Sequence, residues 1–293
     1  MNNNVKNVKC EIYHDHFQNY KIYGIPKAQL LISDIPYELG DSFFASRPDW
    51  WKNGDIKQGA SAKAGKAAFN SDYSFNLAEF FHFCSKMLKK EPEKGESDAP
   101  CMIIFCSFEQ IPEVISQGEK HGFKHYVPLV FVKNSSPQVL KANMKVVGAT
   151  EYGLVLYRNK LPKFRNKDEN GVKRMIKNWF EFKRDGKDIP RIHPTQKPVN
   201  LLKQLISMFT DPGDTVVDPT SGSGTSLFAA RELGRNSYGF EISADFYRKA
   251  KEQMLGLSAT TTAPDTASKP STPDTTPDTL EAGAGNTEVK EMN

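Results

Sequence analysis

The sequence has no long apolar run. Its longest clean stretch, Cys101 to Cys106, is six residues, far short of the roughly 20 that a membrane-spanning helix needs. The segment Met1 to Cys10 is polar and lacks the apolar centre of a signal peptide. Cysteine is scarce: Cys10, Cys84, Cys101 and Cys106 are too few for a disulfide framework in 293 residues, and none forms a C-x-x-C pair. Metal-ligand spacing is also missing. His14-x-His16 and His121-x3-His125 have no matching third ligand, and Pro100-Cys101-x4-Cys106 misses the P-C-x-x-C spacing of zinc deaminases. No metal site is expected. Membrane, secreted and disulfide-stapled classes are set aside, and a reducing cytoplasm is the expected setting.

What is present is an uneven charge. The formal net charge is +4. The stretch 258–293 holds six acids against two bases, net −4, so residues 1–257 carry +8. That tail is rich in Thr, Pro, Ala and Asp, repeats Pro-Asp-Thr, and has almost no large apolar residues, so disorder is expected there. Within the body, 160–191 has eleven bases and five acids, net +6. A basic body with a concentrated stretch of this kind suits an anionic partner.

Along the body, short apolar runs alternate with helical patterns. Strands are expected at Gln29 to Asp34, Cys101 to Ser107, Val127 to Lys133, Glu151 to Arg158, Asp214 to Asp218 and Ser237 to Ile242. Helices are expected at Phe75 to Glu91, Glu109 to Lys120, Asn200 to Thr210, Thr225 to Leu233 and Ala244 to Leu255. This alternation predicts a parallel α/β sheet covered by helices on both faces. Two stretches fall outside it: the basic 160–191, and 40–73, which is rich in Gly, Ala, Ser and Lys and carries Phe43, Phe44, Trp50 and Trp51.

Three motifs carry chemistry. The first runs from the strand Asp214–Asp218 through Pro-Thr-Ser-Gly222-Ser-Gly224 into a helix at Thr225. Its glycines allow close backbone approach, and the helix start offers free N–H groups to an anion. About seventeen residues later a strand ends on Glu241, placed to accept hydrogen bonds from ribose hydroxyls. The second is Asp34-Ile35-Pro36-Tyr37 at a strand's carboxyl end, where a carboxylate and a main-chain carbonyl could both accept from one amino group while Tyr37 stacks on a flat ring. The third is His193-Pro-Thr195-Gln196-Lys197-Pro198 at a helix entry. Alone, the second reads equally as a strand-to-turn junction and the third as a capped helix start.

Together, in this order, they resemble the permuted beta group of DNA amino-methyltransferases. There a D-P-P-Y motif comes first, then a target-recognition segment, then H-x-T-x-K-P, then D-P-F-x-G-S-G-T. The resemblance spans roughly Lys9 to Met254. Ile12-Tyr13-His14-Asp15 is similar to the group's I-x-G-D element, with His14 in place of Gly. The resemblance implies a Rossmann-like, mostly parallel sheet with helices on both faces, and methyl transfer from S-adenosylmethionine to adenine N6 of double-stranded DNA by base flipping. It implies that Asp34, Ile35, Pro36 and Tyr37 hold the target base. The implied cofactor set is Asp15, Thr195, Lys197, Asp218, Pro219, Thr220, Gly222, Gly224, Thr225 and Glu241. Expected DNA contacts are Trp50, Trp51, Lys163, Arg165, Lys173, Arg174, Lys177, Lys183 and Arg184. One catalytic domain over 1–257 is expected, with 160–191 as recognition insert and 40–73 as a base-flipping loop. A homodimer, a companion restriction endonuclease and a bacterial or phage-infected cytoplasm also go with the resemblance.

Two departures bear on activity. Ile35 replaces the first Pro of D-P-P-Y, but it keeps its carbonyl, and Pro36 still biases it towards extended backbone. Thr220 replaces the usual aromatic after D-P and is expected to loosen one wall of the cofactor pocket. Alternatives are a cytosine-N4 enzyme, an inactive DNA-binding relative, and a methyltransferase for RNA or protein. Asp34 leans towards adenine, because the cytosine-N4 members more often begin that motif with Ser.

Overall fold

The computed structural model describes residues 8–37, 75–95, 97–134, 139–141, 146–167, 170–193 and 195–257. The segment 40–73 with Trp50 and Trp51 lies outside the described residues, as does the stretch 258–293. Among the described residues no helix is long and apolar enough to cross a membrane.

In chain order the strands are β1 (Cys10–Tyr13), β2 (Leu30–Asp34), β3 (Cys101–Cys106), β4 (His125–Lys133), β5 (Val139–Lys141), β6 (Val146–Val147), β7 (Thr150–Tyr157), β8 (Trp179–Phe182), β9 (Thr215–Asp218) and β10 (Asn236–Phe240). The α-helices are α1 (Leu77–Met87), α2 (Ile111–Lys120), α3 (Val199–Phe209), α4 (Thr225–Glu232) and α5 (Ala244–Lys249). Eight strands form one sheet in the order β1-β10-β9-β2-β3-β7-β4-β8, and β5 pairs with β6 apart from it. β1, β10, β9, β2 and β3 pair in parallel. β7 runs antiparallel to both β3 and β4, and β8 is parallel to β4. The fold is a Rossmann-like α/β sheet with one reversed strand.

Strand burial explains the layering. In β2 and β3, Leu31, Met102, Ile104 and Cys106 face one side, packed on Phe80, Phe81, Cys84 and Met87 of α1 and Val114 of α2. Their alternates Leu30, Ile32, Cys101, Ile103 and Phe105 face the other, packed on Leu201, Leu202, Leu205 and Ile206 of α3. Strands covered on both faces read as continuous apolar runs, which is why CMIIFC stands out in the sequence. Helix starts are capped: the Asn76 side chain accepts from Glu79 N at 3.1 Å, and Asp185, fourteen residues upstream, accepts from Val199 N at 3.0 Å.

The structure adds detail to three expectations. The sheet is mostly parallel, as expected, with β7 reversed between β3 and β4. The segment 160–191 is not simply an insert. Its Trp-Phe-Glu-Phe forms β8, with Phe180 buried on Phe131 at 5.9 Å between ring centroids. The final helix changes pitch after α5: Ala250–Met254 winds with wider turns, and Ala250, Met254 and Leu255 all bury against Ile12 and Leu227.

Candidate active site

The chain leaves β9 through α4 towards β10, and leaves β2 through α1 towards β3. β9 and β2 are neighbours, so these two crossovers depart in opposite directions along the sheet. Their carboxyl ends therefore open a crevice, the place where doubly wound sheets bind ligands. Asp218 closes β9 and Asp34 closes β2.

Asp218 is buried, and its carboxylate accepts from Thr220 N at 3.0 Å and from the Ser226 hydroxyl. Burial pushes its carboxyl up to about 7. Pro219 is buried behind it. Gly222 and Gly224 sit at φ +51° and +75°, and a Cβ on Gly224 would stand 3.3 Å from Ala250 Cβ. Glycine is therefore required at 224 by both its backbone angle and its neighbour. Thr225 is buried at the start of α4. Glu241 follows β10 and accepts from Gly222 N at 2.9 Å and from Ser243 N at 2.7 Å. Burial pushes it up to about 6 against those two N–H groups. Each of its oxygens keeps a lone pair for a further donor.

Asp15, after β1, lies beside this loop, since Glu241 N donates to Tyr13 O at 3.0 Å. Its carboxylate accepts from His16 N and Asn19 Nδ2 at 2.7 Å each and from Tyr23 OH at 2.7 Å. The third motif meets the loop from the other side. A Cβ on Gly222 would lie 3.9 Å from His193 Cδ2, and Thr195 Oγ1 is 2.9 Å from His193 Nδ1. Burial, then Lys197, lowers His193 to about 4.

Lys197 departs from its expected place. Its ammonium is buried and donates to Asp34 Oδ2 at 2.7 Å and to Tyr37 OH at 3.2 Å. It also lies 3.1 Å from Glu151 Oε2 and 5.1 Å from the Phe105 ring centroid. The residue expected among the cofactor contacts is thus bound to the second motif, because Pro198 starts α3 just behind β2. Burial opposes its charge, yet Asp34 and Glu151 hold it well above the usual lysine value. Burial pushes Asp34 up, with Lys197 opposing. For Glu151, burial is outweighed by Lys197 and Lys133, and the carboxyl stands at about 2. Asp34 Oδ1 is buried with no hydrogen-bond partner among the described residues.

Around this acid the second motif is pinned. The Ile35 side chain is buried in the α1-side core, and its N donates to Phe105 O at 3.2 Å. Pro36 O accepts from Gln110 Nε2 at 2.8 Å. Thr220 stands between the two motifs. Its hydroxyl donates to Asp34 O at 3.1 Å and lies 2.6 Å from Ser33 Oγ, bridging the two motifs across the crevice.

Of the expected DNA contacts, Lys173, Arg174, Lys177, Lys183 and Arg184 are exposed: Lys173 and Arg174 lie against 166–167, Lys177 precedes β8, and Lys183 and Arg184 follow it. β8 runs the same way as β2, so Lys183 and Arg184 leave the sheet at the end that carries Asp34. Lys163 and Arg165 lie elsewhere. They sit at the amino ends of the strands, where Lys163 pairs with Asp214 at 2.6 Å and Asp211 at 2.9 Å. Arg165 pairs with Asp211 at 2.6 Å and Asp98 at 2.9 Å. Both are thus engaged with acids of the fold, away from the strand ends that carry Asp34 and Asp218.

Sequence reasoning missed Glu151, Lys133 and Ser33. Glu151 opens an apolar run, whereas the other site acids close one. Only the reversal of β7 brings it to the same end, two residues beyond Gly153, which pairs with Phe105 beside Asp34.

The arrangement places an open carboxylate oxygen beside a glycine-rich loop and a strand-end acid. The DNA methylase family matches residues 28–252. The chain belongs to the N6/N4 DNA methylase family. It is 26% identical over 266 residues to the DNA adenine methyltransferase YhdJ of Escherichia coli K12, covering 84% of this chain and 82% of that protein. It is 32% identical over 172 residues to the type II methyltransferase M.MjaI of Methanocaldococcus jannaschii, covering 53% of this chain. It spans only about half of M.MjaI, 56%, and 30% of the Escherichia coli protein YubD. Among solved structures, the M1.HpyAVI–SAM complex matches with TM-score 0.58 and 23% identity, covering 83% of this chain and 97% of that one. The cytosine-N4-specific PvuII DNA methyltransferase matches with TM-score 0.56 and 16% identity, covering 82% and 84%. Both share the fold.

Proposed function

We propose that this N6/N4 methylase transfers the methyl group of S-adenosylmethionine to the N6 amine of adenine in duplex DNA. The observation that carries the reading is Asp34 Oδ1, a buried acceptor without a partner at the crevice between β2 and β9. A buried acceptor left unmade is costly, and an N–H donor from a bound molecule would satisfy it.

The residues fit the cofactor. Gly222 and Gly224 allow close approach, the start of α4 offers N–H groups, Glu241 retains acceptor capacity for two ribose hydroxyls, and Asp15 lies alongside. When bound, the sulfonium supplies an electrophilic methyl group and leaves as a thioether.

The chain's own part is to hold the amine. Adenine's exocyclic nitrogen is a poor nucleophile because its lone pair is delocalised into the ring. Asp34 Oδ1 and the Ile35 carbonyl accept its two hydrogens and favour a pyramidal nitrogen. As positive charge develops there, the same acceptors stabilise it, an effect aimed at the transition state. Asp34 then takes the departing proton and releases it to solvent. Lys197 favours the ionised form of Asp34 against the burial that raises it. Tyr37 stacks on the base, which must leave the duplex to reach this depth. Asp34 rather than Ser at the motif's start favours adenine over cytosine.

The test is tritium transfer from labelled S-adenosylmethionine to mixed-sequence duplex DNA, followed by chromatography of the hydrolysed bases. Wild type is expected to label N6-methyladenine, and Asp34→Ala to lose label by a factor of about 1,000. Equal counts from both proteins would refute the catalytic assignment, and label in N4-methylcytosine would correct the base.

A further inference from the structure

Four charges alternate in sign across the top of the sheet. Lys133 Nζ is 2.7 Å from Glu151 Oε1, Glu151 Oε2 is 3.1 Å from Lys197 Nζ, and Lys197 Nζ is 2.7 Å from Asp34 Oδ2. They come from β4, β7, the entry to α3, and β2. The chain ends on one open atom, Asp34 Oδ1.

We propose that Glu151 is a positioning residue for methyl transfer: it draws the Lys197 ammonium sideways onto Asp34 Oδ2 and thereby keeps Oδ1 open for the target amine. The proposal rests on the methyltransferase reading above. A buried ammonium facing a single carboxylate would settle between both of its oxygens, since that maximises attraction at low dielectric. Lys197 does not. It lies against Oδ2 only, with Glu151 on its other flank and Tyr37 OH as its remaining partner. Glu151 Oε2 lies 3.1 Å from the ammonium and has no other partner among the described residues, so its pull on Lys197 is chiefly that of charge. Lys133 holds Glu151 from behind through the other oxygen. Glu151 touches neither substrate nor cofactor in this scheme; it acts through Lys197.

The test compares full-length wild type, Glu151→Gln and Glu151→Asp. It measures kcat and KM with duplex DNA, cofactor affinity by equilibrium binding, and the thermal unfolding midpoint. Removing the charge should let Lys197 cover Oδ1. We expect Glu151→Gln to lower kcat about 10- to 100-fold, the scale of a small misplacement at a reacting centre. Cofactor affinity and KM for DNA should stay within about twofold, and Glu151→Asp should recover most of the lost kcat. A Glu151→Gln kcat within twofold of wild type overturns the proposal. So does a fall of kcat together with cofactor affinity, because that is the mark of a merely structural role. If Glu151→Gln does not fold, Glu151→Asp decides: a folded Asp variant with kcat as low as Asp34→Ala overturns the proposal. A wild type that transfers no methyl group refutes the functional reading instead, so the two failures are distinct.

Discussion

The sheet has an ionic cluster at each end, and the two are built from the same residue types. At the amino end, Lys89, Lys163 and Arg165 meet Asp98, Asp211 and Asp214. At the carboxyl end, Lys133 and Lys197 meet Glu151 and Asp34. Each cluster balances its charges. The amino-end cluster reaches solvent, with the Arg165 side chain 41% exposed and that of Asp211 42%. In the carboxyl-end cluster Lys197 is buried, its side chain 7% exposed, with Glu151 at 18% and Asp34 at 28%. Solvent screens the Arg165 pairs of the first and leaves them worth little, whereas Lys163 and Asp214, each 12% exposed, form its shielded part. In the second, each charge depends on its partners, and one oxygen has none. What sets the carboxyl end apart is the buried acceptor Asp34 Oδ1, without a partner beside the glycine-rich loop, and not its charge density.

The largest expected effect is at Lys197. Lys197→Met removes the buried cation between two partly buried carboxylates and leaves them facing each other. Breaking a buried pair from one side costs about 3–5 kcal/mol, so the urea midpoint should fall clearly. kcat should fall at least about 100-fold, and the sign of its pH dependence follows from the charges. Burial already raises Asp34, and Lys197 opposes that rise. Without Lys197 the Asp34 carboxyl should climb further, and the acid limb of kcat should move to higher pH. Cys106, Asp218, Tyr37 and Glu151 also face this group electrostatically, so the profile is best compared with that of Glu151→Gln. A Lys197→Met enzyme with wild-type stability and an unmoved acid limb would break the contrast between the two ends.

That contrast also explains what could be read without coordinates. Most strands and all five helices followed from apolar periodicity, because strands buried on both faces leave an unbroken apolar run. Asp34, Asp218 and Glu241 were legible because each ends such a run, and in a parallel sheet all run-ends share one edge. Glu151 was not legible, since it begins its run and reaches that edge only because β7 is reversed. Strand direction is a tertiary outcome that periodicity does not encode. β8 was hidden for another reason: its four residues sit among eleven bases in 160–191, and charge masked the alternation of Phe180 and Phe182. Lys163 and Arg165 were misplaced because the acids that neutralise them, Asp98, Asp211 and Asp214, are distant in sequence.

A smaller effect is expected at Thr220, which couples the glycine-rich loop to Asp34. Thr220→Val keeps the shape and removes the hydroxyl that donates to Asp34 O. A single neutral hydrogen bond contributes about 0.5–1.5 kcal/mol. The expected outcome is a stability loss in that range and a fall in kcat of about threefold to tenfold, with cofactor affinity little changed. If kcat is unchanged, the bridge between β2 and β9 holds the fold together without positioning Asp34.

The smallest effects should separate two groups of bases that the sequence presents as one segment. Arg165→Gln cuts exposed pairs to Asp211 and Asp98 at the amino end. Screened pairs of this kind contribute no more than about 1 kcal/mol. DNA affinity, its salt dependence and kcat should all remain at wild-type values. Lys183→Ala and Arg184→Ala act at the opposite end, where exposed bases follow β8 beside the crevice. If they meet phosphates, each should reduce the slope of log affinity against log salt by about 1, while leaving stability unchanged. Fluorescence anisotropy on a labelled duplex across a salt series reads both sets. An Arg165→Gln slope that falls as far as those of the β8 variants would put DNA at both ends of the sheet. A flat response at Lys183 and Arg184 would move the DNA path off the β8 edge and towards the other exposed bases of 170–177.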